Sequence, residues 1–173
     1  QFAFARFFNV LLAWYDREKR DLPWRRSASP YHVWLSEVML QQTRVETVIP
    51  YYDRFVTRFA TLDDLAAAEE QEVLALWQGL GYYSRARNLH RGAQWIQQVK
   101  QGSFPSTVQE LLLVPGIGPY TAGAIASMAY GEPVPSVDGN LCRVFARLWC
   151  LSDDMTQGAV RIALTQTVTR YWE

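Results

Sequence analysis

The sequence predicts an all-α protein, and three observations carry the prediction. Apolar residues recur at three- and four-residue spacing from one end of the chain to the other. No stretch sustains the apolar/polar alternation of a half-buried strand. Proline, glycine and cap residues punctuate the pattern at helix-length intervals.

Phe4, Phe7, Phe8, Leu11, Leu12 and Tyr15 lay an apolar stripe along a first helix, which Pro23 ends. Ser29 caps a second helix with Pro30 in its first position, running to about residue 42. A third covers 45–59 with Pro50 early in it. Thr61 and Asp64 read as an N-cap with an acidic third position, opening an amphipathic run that Gly79 stops after Trp77. A long helix is expected over 82–100, ended by Gly102, and a short one over 106–114. A tight turn at 115–118 then leads into a helix rich in small residues, 120–130. The loop 131–137 carries Pro133 and Pro135, and two helices, about 140–149 and 157–172, complete the chain. Repeats, low-complexity tracts and linkers are not evident.

The 173 residues allow one domain or two small lobes, with a substantial core. A composition 49% apolar and 20% charged excludes disordered and fibrous classes. No apolar run approaches the ~18 residues of a membrane span, so no membrane partner is expected. The 17 cations balance 17 anions, yet their distribution is uneven. Arg85, Arg87, Arg91 and Lys100 follow one another without an acid between, whereas Asp63, Asp64, Glu69, Glu70 and Glu72 crowd the preceding stretch. Fifteen of the 17 cations are arginine, which favours bidentate anion contacts. Cys142 and Cys150 read as buried thiols in an intracellular redox setting, supporting neither a disulfide framework nor a zinc site. The chain opens in mid-helix at Gln1 and closes on Tyr171, Trp172 and Glu173, so it reads as a fragment and a missing signal peptide carries no weight.

The sharpest local signal is Val114-Pro115-Gly116-Ile117-Gly118-Pro119 between two helices. Gly116 and Gly118 remove side chains where the chain turns abruptly, beside a helix N-terminus that attracts phosphate; the alternative is a plain helical corner. Glu37 lies in the apolar run 33–40 with no cation three or four residues away. A carboxyl so held would have a raised pKa, as a general acid at neutral pH requires, unless it sits on the helix's one wet edge. Asp138 precedes Gly139 and Asn140 at a helix start and by itself reads as an N-cap. Tyr120 follows the turn, Gln41-Gln42-Thr43 ends a helix in amides, and Gly79-Leu80-Gly81-Tyr82-Tyr83 sets aromatics at the mouth of the basic helix. Aromatics beside arginines suit base stacking and phosphate contact, or a solvated face over core tyrosines. His32 and His90 are expected to be structural or solvated rather than ligands.

Together these segments, with Leu22-Pro23-Trp24-Arg25 and the run from Trp34 to Thr43, resemble the MutY family of adenine DNA glycosylases over nearly the whole chain. The resemblance implies a helix–hairpin–helix glycosylase fold, with a helical barrel over about 24–130 and a second lobe from 1–23 and 131–173. It implies removal of adenine mispaired with 8-oxoguanine or guanine in double-stranded DNA, by a monomeric, monofunctional enzyme of the bacterial cytoplasm, nucleoid-associated. Glu37 would protonate the base, Asp138 would stabilise the sugar cation, and Tyr120 and Asn140 would support that pair. Trp24 and Arg25 would lie near the adenine pocket, and Gln42 and Tyr82 would wedge into the base stack. Gln41, Thr43, Leu80 and Arg85 would join them as DNA-contacting residues, and the hairpin of Gly116 and Gly118 would grip phosphate. The family also carries four cysteines for a 4Fe-4S cluster and a domain that reads 8-oxoguanine. This chain has two cysteines, so no bound cofactor is expected on its residues.

A thymine or uracil mismatch glycosylase of the same superfamily is the nearest alternative, against which stands Glu37 in the run ending Gln41-Gln42-Thr43. A bifunctional lyase would need a lysine where Tyr120 stands. A non-catalytic DNA-binding module would keep Gly116 and Gly118 but need neither Glu37 nor Asp138.

Overall fold

A computed structural model describes the backbone of residues 2–27 and 29–170, with side chains from Arg6 onward. Phe4 of the predicted stripe, the opening Gln1 and the end of the last predicted helix at 171–172 lie outside the described side chains or residues. The described residues form ten α-helices and one 3₁₀ turn, without a strand. In order these are α1 (Phe2–Glu18), the 3₁₀ turn Pro23–Arg25, α2 (Pro30–Leu40), α3 (Val45–Arg58), α4 (Leu62–Ala67), α5 (Glu70–Trp77), α6 (Ser84–Lys100), α7 (Val108–Leu111), α8 (Pro119–Tyr130), α9 (Gly139–Leu148) and α10 (Gly158–Arg170).

Local chemistry accounts for most boundaries. Thr61 and Asp64 form a reciprocal capping box on α4. The amphipathic run expected from Thr61 to Trp77 is two helices, because Ala68 turns extended and its N–H closes the last turn on Leu65. Ser29 stands at the N-cap of α2, but its side chain makes no cap hydrogen bond there, correcting the expected cap. Thr107 caps α7 by accepting from the Glu110 N–H, so the helix opens at Val108, two residues after the expected start at 106.

α2 is the spine. It is apolar nearly all round, as a helix buried on every side must be, and Trp34, Leu35 and Met39 are wholly excluded from solvent. Around it pack Phe55 of α3 and Phe59 just after it, Trp77 of α5, Leu89 and Ile96 of α6, and Ile125 of α8. Phe55 meets Phe59 and Trp77 edge-on, with ring centroids 5.0 and 6.1 Å away. Cys142 and Phe145 of α9 form a separate small core with Leu164 and Val168 of α10. Leu11, Leu12 and Tyr15 of the α1 stripe are exposed. Periodicity tells which face a helix can bury, not whether the described chain supplies something to cover it.

Two glycines seat the turn between α7 and α8 on α6. Gly116 has φ +84°, and a Cβ there would lie 2.6 Å from the Cβ of Asn88. On α6 itself, a Cβ at Gly92 would lie 2.8 Å from the Pro115 carbonyl oxygen and from the Trp34 ring. Gly118 differs from expectation. Its φ is −95°, it caps α8, and the space where its Cβ would go is open. The turn therefore requires glycine at Gly116, while Gly118 leaves room beside the α8 N-terminus.

Candidate active site

Glu37 projects from the middle of α2 toward α8, the helix whose Ala122, Ala124 and Ala126 are fully buried. Small residues let the two backbones approach closely, which brings Tyr120, in the first turn of α8, to the Glu37 carboxyl. A Cβ on Gly123 would come 3.2 Å from Ser136 Oγ and 3.6 Å from the Pro135 carbonyl, so the proline-rich loop lies directly over α8. That loop delivers Asp138 to the same place.

The three side chains are electrostatically coupled. Burial pushes the Glu37 carboxyl above its ordinary value; a hydrogen bond from the Tyr120 hydroxyl opposes that rise, and the Asp138 charge adds to it. The Tyr120 phenol is driven well above its usual range, first by burial and then by the neighbouring Glu37 and Asp138 charges. Asp138 is also the N-cap of α9. Its Oδ1 accepts from the Leu141 N–H at 2.7 Å, and its Oδ2 accepts from Asn140 Nδ2 at 2.8 Å. Capping and site membership coincide: the bond from the Leu141 N–H that caps the helix fixes one carboxylate oxygen, and the Asn140 side chain fixes the other.

Glu37 opens onto a cleft of about 560 Å³ between the end of α1, the 3₁₀ turn, α2 and α8. Trp24 and Arg25 line it, together with Tyr15, Arg20, Ser36 and Met128. Trp24 is nearly buried and packs edge-on against Tyr52 at 5.3 Å, making a fixed wall. Arg25 is exposed; its guanidinium lies 5.7 Å from the Tyr15 ring centre, and Nη1 donates to the Arg20 carbonyl at 3.2 Å. Tyr120 and Asp138 are absent from the cleft's walls, so the Glu37 carboxyl faces the pocket while the Asp138 carboxyl stands outside its lining.

The remaining predicted residues occupy two turns. Gln41, Gln42 and Thr43 follow α2, with Gln42 exposed at φ +58°. Leu80, Gly81 and Tyr82 precede α6, with Tyr82 exposed at φ +48°. Left-handed backbone is uncommon for either residue type. Two members depart from expectation. Leu80 is only 6% exposed and belongs to the core, so its side chain is not presented to a ligand. Arg85 is turned inward, 9% exposed, because the carbonyls ending α2 and the 80–81 turn need donors that the backbone cannot supply. Arg87 pairs with Glu70 at 3.5 Å and Arg91 donates to Asn88, both on the surface. Sequence reasoning missed this inward turn of Arg85, and also Gly92, whose only signal is a glycine inside a helix.

Two findings bear on family. The sequence profile of the HhH-GPD superfamily of base excision DNA repair proteins matches residues 35–170, most of the chain and all of the coupled side chains. This chain belongs to that superfamily. It is 51% identical over 157 residues to the human adenine DNA glycosylase, covering 86% of this chain and 29% of that protein. It is 43% identical over 147 residues to the adenine DNA glycosylase of Buchnera aphidicola from Baizongia pistaciae, covering 84% of this chain and 42% of the relative. The chain thus spans less than half the length of these relatives. In fold it resembles a thermostable thymine-DNA glycosylase, with a TM-score of 0.83 and 24% identity over 96% of this chain and 76% of the other. An endonuclease III bound to DNA gives a TM-score of 0.80 at 22% identity over 97% and 76%. These neighbours share the all-α helix–hairpin–helix architecture.

A 4Fe-4S cluster takes four thiolates. Here Cys142 is buried under α10 and Cys150 is exposed beyond the end of α9, and the described residues contain no cluster of three or more potential metal ligands. The residues of this chain do not fit such a group.

Proposed function

We propose that this chain is the catalytic core of a monofunctional adenine DNA glycosylase acting on adenine opposite 8-oxoguanine or guanine in duplex DNA. The observation that carries this is the half-buried Glu37 carboxyl, raised by burial, sharing its surroundings with Tyr120 and Asp138 at the mouth of a cleft. The target base leaves the stack and enters the cleft against Trp24. Glu37 donates its proton to the departing purine at N7, lowering the cost of breaking the bond between the sugar C1′ and N9. Asp138, with one oxygen held by Asn140 and the other by Leu141, stabilises the positive charge that develops on the sugar. Water adds to C1′, gives up a proton to the Glu37 carboxylate and leaves an abasic site. Tyr120 orients Glu37 and offers no amine for a Schiff base. The open flank at Gly118 and the α8 N-terminus take backbone phosphate.

Glu37→Gln tests the assignment. It keeps the shape of the side chain and removes the proton, so single-turnover base release falls by about 10²-fold or more, while binding to the mispaired duplex stays within about twofold by fluorescence anisotropy. A variant with near-wild-type rate makes Glu37 a bystander.

A further inference from the structure

Arg85 sits between the two turns that carry the exposed left-handed residues. Nη1 donates to the carbonyls of Val38, Met39 and Gln41 at 2.9, 2.9 and 2.6 Å. Nη2 donates to Thr43 Oγ1, Leu80 O and Gly81 O at 3.3, 3.3 and 3.1 Å. One nitrogen thus serves mainly the end of α2, and the other ties that turn to the next. The guanidinium plane also lies 5.4 Å from the Trp77 ring centre and 5.6 Å from that of Tyr82, so it contacts one of the exposed side chains directly. The Gly81 carbonyl receives a second donor, Trp77 Nε1, at 3.0 Å. No carboxylate hydrogen-bonds the guanidinium among the described residues. Its charge is met by backbone dipoles at the C-terminal end of α2, where a cation is favoured.

We propose that Arg85 is a positioning residue, a brace that fixes the distance and conformation of the Gln42 and Tyr82 turns relative to one another so that both enter the base stack as one rigid unit. This rests on the reading above that these two residues meet DNA. A guanidinium is suited to the task because its planar fork reaches both turns at once. Lysine, a single point charge on a flexible stem, keeps the cation and cannot span the two turns. A phosphate contact would have a different signature. Losing one lowers affinity for any duplex and makes the salt dependence of log K shallower by about 0.9.

The test uses Arg85→Lys, Gln42→Ala and Tyr82→Ala, each in the Glu37→Gln background so that DNA is not consumed. Each is titrated over a range of salt against an undamaged duplex and one containing A opposite 8-oxoguanine. For Arg85→Lys the expected result is a loss of tenfold or more in preference for the mispair, with undamaged-duplex affinity within about twofold and the salt slope unchanged. Equal losses on both duplexes with a shallower slope would overturn the brace in favour of a phosphate ligand, and an unchanged preference overturns it outright. Gln42→Ala and Tyr82→Ala separate the two layers: both must lower the preference. If neither does, the reading of the turns as DNA probes falls; if they do and Arg85→Lys does not, only the brace falls. A measurement on the unsubstituted side chain covers a variant that does not fold. The Arg85 guanidinium protons, assigned through contacts to Met39 and Leu80, should exchange slowly in NMR and keep their shifts when undamaged duplex is added. Fast exchange, or a shift on adding duplex, overturns the proposal.

Discussion

Replacing Gly92 with alanine sets two effects of known sign against each other. In a helix interior alanine is favoured over glycine by about 0.5–1 kcal/mol, so propensity alone predicts a more stable protein. The structure predicts the reverse. The new Cβ would stand 2.8 Å from the Pro115 carbonyl oxygen and from two Trp34 ring carbons, where ordinary contact begins at 3.4 Å, so the neighbours must retreat by roughly 0.6 Å. Neither is free to do so. Pro115 is backbone of the turn that seats Gly116 on Asn88, and Trp34 is fully buried with Phe104 edge-on at 5.7 Å. Overpacking of this kind costs about 1–3 kcal/mol, leaving a net loss of up to about 2.5 kcal/mol and, at about 2–4 °C per kcal/mol for a chain of this size, a fall of up to about 10 °C in the melting midpoint. Gly118→Ala is the control. With φ −95° and open space around it, it should shift the midpoint by less than about 2 °C. Thermal and urea denaturation of both variants read the outcome. A Gly92→Ala protein that melts higher than the parent refutes the claim that α6 and the turn are in enforced contact.

Three further predictions concern the chemistry. Because burial raises the Glu37 pKa above its ordinary value and the proposed step uses the protonated form, the single-turnover rate should fall as pH rises through a midpoint above the ordinary carboxylate range. Tyr120→Phe removes a hydrogen bond that favours the charged form, so the falling limb should move to higher pH; a shift to lower pH would show that Tyr120 does not act on Glu37. The product should be an intact abasic strand that breaks only on heating in alkali, and efficient trapping of a covalent adduct with borohydride would contradict the role given to Tyr120.

How much could be read beforehand follows from the range of the interactions involved. Helix order was legible because caps and periodicity are local, as Thr61 with Asp64 and Pro30 at the head of α2 illustrate. The break at Ala68 and Glu69 was not, since residues 61–77 keep one amphipathic rhythm across it. The lone acid in the apolar run 33–40 announced Glu37, but composition says nothing about Tyr120 and Asp138 arriving beside it. That meeting depends on the close approach of α8 to α2 and of the 133–137 loop to Gly123. Arg85 departs from its expected surface role for a related reason. In sequence it is one arginine of a basic helix, and only the fold reveals that its position faces a helix end whose carbonyls lack partners. Gly92 was invisible because a helical glycine carries no mark of the ring and carbonyl that will press on it.

Joint action of Glu37 and Asp138 on a flipped adenine can be checked with a panel of three duplexes. Single-turnover strand cleavage after alkali, measured for A opposite 8-oxoguanine, A opposite guanine and T opposite guanine, should show release of adenine from the first two and none of thymine from the third. Glu37→Gln should abolish the first two signals. Cleavage confined to the T opposite guanine duplex, or adenine release that persists undiminished in Glu37→Gln, would contradict the account.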